Sequence, residues 1–389
     1  MTKRTRWYWH QGNTSELLID GQQYFSVMLD AIECAKASVL LEFYFVSSGE
    51  VMDRFIAAMS NAASRGVCVR MLIDAVGSRG LSLKDRKRLF EAGVGLRIYN
   101  PIKLRKWNRN FARDHRKLLL VDGRVAFIGG TGLADEFLAD TKAALPWHEF
   151  MLKVEGPVLQ DWLRLFQENW FHCTGEALSI STIPDLSEFS RADGDTALEP
   201  EPSGEAEMKV ATTEGVHQQE IKVDFRRQIN AAHTRVWLVT AYFLPSWSIR
   251  RALQNAAQRG VDVRLLLPGP LIDHSGIYHA ARRYYKRLLV AGVRIYEYQP
   301  RFIHAKLGVC DNWVSIGSCN LDHWNLRWNL EANQEVIDTK LTDQVCSAIL
   351  SDLEQSDEIT LEYWQQRPWY QRSWGFVWGY INSLLLRLV

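Results

Sequence analysis

The sequence predicts an α/β protein of two similar fused α/β/α lobes, each with a mixed, mostly parallel sheet, and an active site where the lobes meet. Three observations predict it. Strand-like and helix-like patterns alternate along the chain, the same series of elements occurs twice, and each series ends in the same His-x-Lys-x-x-x-x-Asp spacing. A chain of 389 residues with 47% hydrophobic residues can bury a core of that size.

In the first half, Ser38 to Val46 (SVLLEFYFV) reads as a buried strand, and Val51, Phe55, Met59 and Ala62 mark the apolar face of a following helix. Arg65 to Asp74 gives the next strand. A charged helix and the strand Glu91 to Tyr99 follow, and His115 to Gly130 (HRKLLLVDGRVAFIGG) reads as two strands joined at Asp122-Gly123. The second half repeats the order: a strand over Thr234 to Phe243, a helix to Gln258, strands over Arg259 to Pro268 and Val290 to Tyr298, and the strand pair His304 to Ser318. The stretch ADGDTALEPEPSGEAE, acidic and rich in Pro, Gly and Ser, reads as a linker or long surface loop. The expected organisation is a first lobe over 8–178, a linker over 179–208, a second lobe over 209–366 and a tail over 367–389.

Forty-six basic and 45 acidic residues give a net charge of +1, unlike a protein built to coat nucleic acid. Six scattered cysteines without a C-x-x-C pair fit reduced thiols, and Cys310 and Cys319, which flank the second motif, read as buried small residues. The N-terminal MTKRTRWYWHQGN lacks the run of roughly 7 to 15 apolar residues of an export signal. The expectation is a soluble or peripheral protein on the cytoplasmic side of the cell membrane.

On a strand, residues two apart share a face, so His115 with Lys117 and His304 with Lys306 each present an imidazole and an ammonium to one space. Two such half-sites facing each other suit a phosphodiester. One imidazole attacks phosphorus, the other protonates the leaving oxygen, and the lysines stabilise the charge that develops on the remaining oxygens. Asp122 and Asp311 complete the repeated spacing and are counted here with the catalytic set. Thr131, Ser318 and Asn320, in the Gly-rich turns that follow each motif, are candidate donors to phosphate oxygen. Glu149 and Glu331 are candidates to accept a hydrogen bond from an imidazole Nδ1, which fixes the tautomer. No metal or other cofactor is expected: His172-Cys173 has no further ligands at zinc spacing, and the ammonium groups repel a dication.

From about Tyr8 to Glu362 these motifs resemble the phospholipase D superfamily. HRKLLLVDGRVAFIGG, GSCNLDHWNLRWNLEAN and the RGV strands look most like its bacterial cardiolipin synthase branch. The resemblance implies the phospholipase D fold and a metal-independent, two-step reaction through a phosphohistidine, with Lys117, Lys306 and Asn320 on the phosphate. By the same analogy His115 is the nucleophile and His304 the acid, although the sequence alone does not assign them. The implied reaction passes a phosphatidyl group to phosphatidylglycerol. The first copy departs from the pattern at Gly130 and Gly132, where the second has Ser318 and Asn320, so its half-site is expected to hold phosphate more weakly.

Two further segments suit an anionic membrane surface. Lys103, Arg105, Lys106, Arg109 and Arg113 alternate with Trp107 and Phe111, and the tail RPWYQRSWGFVWGYINSLLLRLV reads as an interfacial amphipathic helix. A solvated loop and a core-packing or dimer-forming helix are the alternative readings. The expected partners are a phospholipid, with phosphatidylglycerol foremost, and the membrane surface, without nucleic acid; the oligomeric state is open. The rival functions are a hydrolytic phospholipase D, a nuclease of the same superfamily and a non-catalytic lipid-binding protein.

Overall fold

A computed structural model describes residues 7–103, 110–138, 145–178, 205–215, 218–322 and 328–367. Residues 179–204 of the expected linker, the centre of the basic-aromatic loop and the tail after Arg367 lie outside the described residues.

The first lobe contains β1 (His10–Ile19), α1 (Asp20–Cys34), β2 (Ser38–Phe43), α2 (Glu50–Ser64), β3 (Cys68–Asp74), α3 (Leu83–Glu91), β4 (Gly95–Tyr99), β5 (Lys117–Val121), β6 (Val125–Gly129), β7 (Phe150–Glu155) and α4 (Leu159–Thr174). The second contains β8 (Ala206–Glu214), the short β9 (Gln218–Gln219), α5 (Glu220–Ala231), β10 (Arg235–Thr240), α6 (Trp247–Gln258), β11 (Asp262–Pro268), α7 (Ser275–Arg282), α8 (Tyr285–Val290) and β12 (Arg294–Tyr298). It continues through β13 (Lys306–Cys310), β14 (Trp313–Gly317), β15 (Leu330–Ile337), α9 (Thr339–Glu354), β16 (Ser356–Ile359) and α10 (Leu361–Gln366). β8 opens at Ala206, inside the segment read as linker.

The strands form one continuous sheet in the order β16-β12-β11-β10-β13-β14-β15-β8-β1-β7-β6-β5-β2-β3-β4, with β9 on β8. Read outward from the central β8–β1 pair, the two halves show the same order of equivalent strands, which is the duplication made visible. β16 lies antiparallel on β12 and covers that edge of the second lobe. The sheet is mixed, as expected, but its parallel part is smaller than expected. Among the described strands, only β2-β3-β4 and β10-β11-β12 run parallel. The hairpins β5–β6 and β13–β14 are antiparallel because each motif strand turns back at once through a tight loop, and the inner strands are antiparallel as well.

Strands buried on both faces explain the apolar runs in the sequence. In β2, Val39, Leu41 and Phe43 enter one core with α1 and α2, where Val51, Phe55, Met59 and Ala62 are buried as the periodicity predicted. Leu40 enters the opposite core, which also takes Trp162 and Phe166 of α4, Val345 and Ile349 of α9 and Leu307 and Val309 of β13. That second core belongs to both lobes. A third core, with Ile249 and Leu253 of α6 and Leu288 of α8, covers the other face of the second lobe.

Asp122 and Asp311 require a correction. Each sits past the far end of its strand, at the opposite end from His115 and His304, in the hairpin turn with φ of 52° and 51°. Asp122 accepts from the backbone N–H groups of Lys36, Ala37 and Ser38 at 2.7–2.8 Å. Asp311 accepts from those of His233, Thr234 and Arg235 and from the Thr234 hydroxyl at 2.6–3.0 Å. The spacing common to both halves thus ends on a hairpin anchor outside the cleft. Burial alone raises the Asp311 carboxyl, yet these donors outweigh it and hold it at about 2. Its stabilisation is therefore present above the ordinary value of 3.8 and lost as pH falls towards 2. Replacing Asp311 by Ala should lower stability by about 1 kcal/mol at neutral pH, measured by urea unfolding, and by less as pH falls below 4.

Candidate active site

β5 and β13 begin at the junction of the lobes, and the residues just before them pair with the opposite lobe. His115 N–H donates to the carbonyl of Leu330 at 2.9 Å, and His304 N–H to that of His148 at 2.8 Å. Asp114 bridges Leu330, and His148 bridges Ile303, in parallel register. Leu330 and His148 immediately precede Glu331 and Glu149. Each motif is thereby set beside the carboxylate of the other repeat.

The side chains follow this crossing. His115 Nδ1 lies 3.0 Å from the Glu331 carboxylate, and His304 Nδ1 lies 2.8 Å from Glu149 Oε2. With Nδ1 committed to a carboxylate, His115 keeps Nε2 for chemistry, whereas Nε2 of His304 lies within reach of the Lys306 ammonium. Lys117 donates to the His115 carbonyl at 2.5 Å. Lys306 donates to the His304 carbonyl and lies 2.9 and 3.1 Å from the two ring nitrogens. Tyr44 packs edge-on against His115, while Phe137, Trp147 and Phe302 surround His304 at centroid distances of 5.1–5.6 Å.

The turns after the motifs differ between the copies. Ser318 donates to Glu331 at 2.5 Å, so its hydroxyl braces the carboxylate of His115. At the equivalent Gly130 a Cβ would stand 2.3 Å from a Glu149 oxygen, and only glycine leaves room. A Cβ at Gly132 would meet the Phe45 carbonyl at 2.6 Å, which excludes an asparagine there. Thr131 is fully buried, its hydroxyl 3.0 Å from the Tyr24 hydroxyl and 3.1 Å from the Gly132 carbonyl. Its hydroxyl is engaged away from any substrate, a correction to its reading as a phosphate donor. Asn320 is also fully buried, but neither its Nδ2 nor its Oδ1 has a partner among the described residues. A buried amide left so costs about 1–3 kcal/mol and marks a place for a polar ligand.

Burial dominates the electrostatics. It lowers Lys117 to about 7, with Lys306 pushing the same way against Glu331, and it lowers Lys306. It lowers His115 and carries His304 well below the usual imidazole value, where Lys306, Lys117 and His115 add to it. Burial raises Glu149 to about 7. At Glu331 burial acts the same way, but His115, Lys117 and Ser318 outweigh it and keep the carboxyl below its ordinary value. An anion entering the cleft opposes the burial effect on all four basic groups, because each is more stable charged beside a phosphate.

A family profile described as "Cardiolipin synthase, PLD-like domain" matches residues 28–170 and 225–353, which include both motifs and Glu149 and Glu331. The chain belongs to the cardiolipin synthase branch of the phospholipase D superfamily. Among relatives in this branch, a cardiolipin synthase of Halalkalibacterium halodurans is 32% identical over 362 residues, 92% of this chain and 69% of that one. Cardiolipin synthase A of Pseudomonas putida is 34% identical over 354 residues, 90% of this chain and 70% of that one. Among solved structures, phosphatidylserine synthase from Haemophilus influenzae matches with a TM-score of 0.72 at 12% identity, covering 96% of this chain and 93% of that one. Polyphosphate kinase from Porphyromonas gingivalis matches with a TM-score of 0.58 at 14% identity, over 95% and 53%. These two likenesses show the fold alone, the phospholipase D fold of paired lobes.

Sequence reasoning missed His148, beside Glu149. Its ring bridges Asp20 at 2.8 Å and Asp352 at 3.1 Å, tying α1 of one lobe to α9 of the other, and Arg301 also binds Asp20. The adjacency His148-Glu149 was the available signal. Burial lowers the imidazole, but the two carboxylates outweigh it and raise it to about 9. A raised value stabilises fully below the ordinary 6.5, and the contribution is lost as pH rises through 9. Stability should therefore fall by ~3 kcal/mol between these limits in chemical denaturation. In His148→Asn that part of the pH dependence should vanish.

Proposed function

We propose that the chain is a phosphatidyltransferase that makes cardiolipin from phosphatidylglycerol and a second phospholipid through a phosphohistidine intermediate. The observation that carries this reading is the crossed pair of imidazoles, each tied at Nδ1 and backed by a buried lysine, next to the unpartnered amide of Asn320. The names of the relatives point the same way.

In the first step His115 Nε2 attacks the phosphorus of the donor lipid, forming the N–P bond as the bond to the headgroup oxygen breaks. His304 gives that oxygen its proton. In the second step His304 takes a proton from the headgroup hydroxyl of phosphatidylglycerol, whose oxygen displaces the imidazole and leaves cardiolipin. Lys117, Lys306 and Asn320 hold the phosphate oxygens throughout. The brace of Ser318 on Glu331 supports His115 as nucleophile, since a firmly anionic partner stabilises the imidazole as it becomes cationic. Among the described residues no helix is long and apolar enough to cross a membrane. The proposed setting is peripheral, on the cytoplasmic side of an anionic membrane. The proposed reaction is assigned no metal, because Lys117 and Lys306 supply the positive charge beside the imidazoles.

Incubation with phosphatidylglycerol vesicles should yield cardiolipin by mass spectrometry, undiminished by excess chelator. His115→Ala and His304→Ala should each reduce it by at least about a thousandfold. Phosphatidic acid without cardiolipin would replace transfer by hydrolysis, and no lipid product would overturn the reading.

A further inference from the structure

The end of the sheet that carries the cleft also carries exposed apolar side chains. Thr240, the last residue of β10, lies opposite Lys306 in register, and α6 begins seven residues later with Trp247, which is 71% exposed. β11 ends at Pro268, and Leu271, three residues on, is 50% exposed.

Along α6 from Trp247 stands a group of cations. Arg250, in the first turn of α6, lies over one face of the buried Tyr284 ring at 4.3 Å, and Arg283 lies over the same ring at 4.6 Å. Arg283, Lys286 and Arg287 line an open cavity of about 1090 Å³, and Lys286 and Arg287 are exposed. Of the carboxylates on that wall, Glu297 is held by Arg282 at 2.9 and 3.0 Å and Glu358 by Arg294 at 2.9 and 3.0 Å, which leaves Asp357. The groups acting on Arg250 besides burial are Tyr284 and two further cations, Arg283 and Arg287. Buried Arg250 Nε has no partner among the described residues. Like charges gathered around one aromatic ring repel one another, and an anionic surface relieves that repulsion. A tryptophan at the edge of such a patch is suited to the headgroup layer.

We propose that this face of the second lobe docks on an anionic phospholipid bilayer. Trp247 and Leu271 enter the headgroup region, the exposed Lys286 and Arg287 lie against lipid phosphates, and the cleft faces the surface that supplies its substrate. The proposal rests on the phosphatidyltransferase reading and adds to it the surface by which the enzyme meets the membrane.

The test uses the full chain sedimented with vesicles of phosphatidylglycerol and phosphatidylcholine, and with phosphatidylcholine alone. Two variants are compared with wild type: Lys286→Gln with Arg287→Gln, both at exposed positions, and Trp247→Ser. Transfer from a short-chain, monomeric phosphatidylglycerol is measured in parallel. A basic residue near an anionic surface strengthens binding roughly fivefold, so the double variant should bind mixed vesicles at least about tenfold more weakly. Trp247→Ser should also bind more weakly, and both should keep wild-type turnover of the short-chain lipid. Unchanged vesicle binding in both variants overturns the docking face, whatever the turnover. Weakened binding together with no short-chain product from wild type would instead overturn the catalytic reading and leave the docking face standing.

Discussion

Each catalytic imidazole candidate is aligned by a carboxylate from the opposite lobe, and this crossing sets the terms for the rest of the molecule. His115 needs Glu331 and His304 needs Glu149, so neither half-site is complete alone. The crossing in turn depends on short backbone pairings, Asp114 with Leu330 and His148 with Ile303, and these require the two halves of the sheet to be joined through β1 and β8. The shared core beneath the sheet and the links from Trp162 to Gln334 and from Trp7 to Thr212 hold that junction. His148 adds an ionic tie beside Glu149.

Burying two lysines, two imidazoles and two carboxylates together creates a site whose empty state is electrostatically unfavourable for its own cations. Lys117 at about 7 expresses this most clearly. In the proposed reaction a phosphodiester, singly negative, would restore the charge on the groups assigned as clamp and acid, so that binding and activation would be one event. The two halves are not equivalent. Ser318 braces Glu331, whereas Gly130 only makes room for Glu149, whose carboxyl burial raises to about 7. The duplicated fold thus carries two different half-sites, which suits the proposed division into nucleophile and acid.

Much of this was legible in the sequence. Strands β2, β3, β5 and β13 announce themselves as largely apolar runs, and α2 by its spacing, because they bury both faces or one clean stripe. The motif histidines, lysines and both glutamates were found from their repeated positions. The central strands were not, since β8 (AEMKVATTE) and β15 (LEANQEVI) carry buried polar residues such as Lys209, Gln334 and Glu335 that break the alternation. Asp122 and Asp311 were read as catalytic because spacing records what a repeat preserves, and it preserves hairpin anchors as firmly as reactive groups. Thr131 was misread because its partner Tyr24 comes from a helix far away in sequence. The crossing itself is a property of two lobes packed together, and a local pattern does not encode it.

The most direct measurement is ¹⁵N NMR of the histidine side chains in wild type, Glu331→Gln and Glu149→Gln. At neutral pH, His115 and His304 should both carry the proton on Nδ1 and leave Nε2 unprotonated. Glu331→Gln should alter the tautomer signals of His115, and Glu149→Gln those of His304. Changes confined within each repeat, with Glu149→Gln moving His115 and Glu331→Gln moving His304, would contradict the crossed pairing on which the account rests.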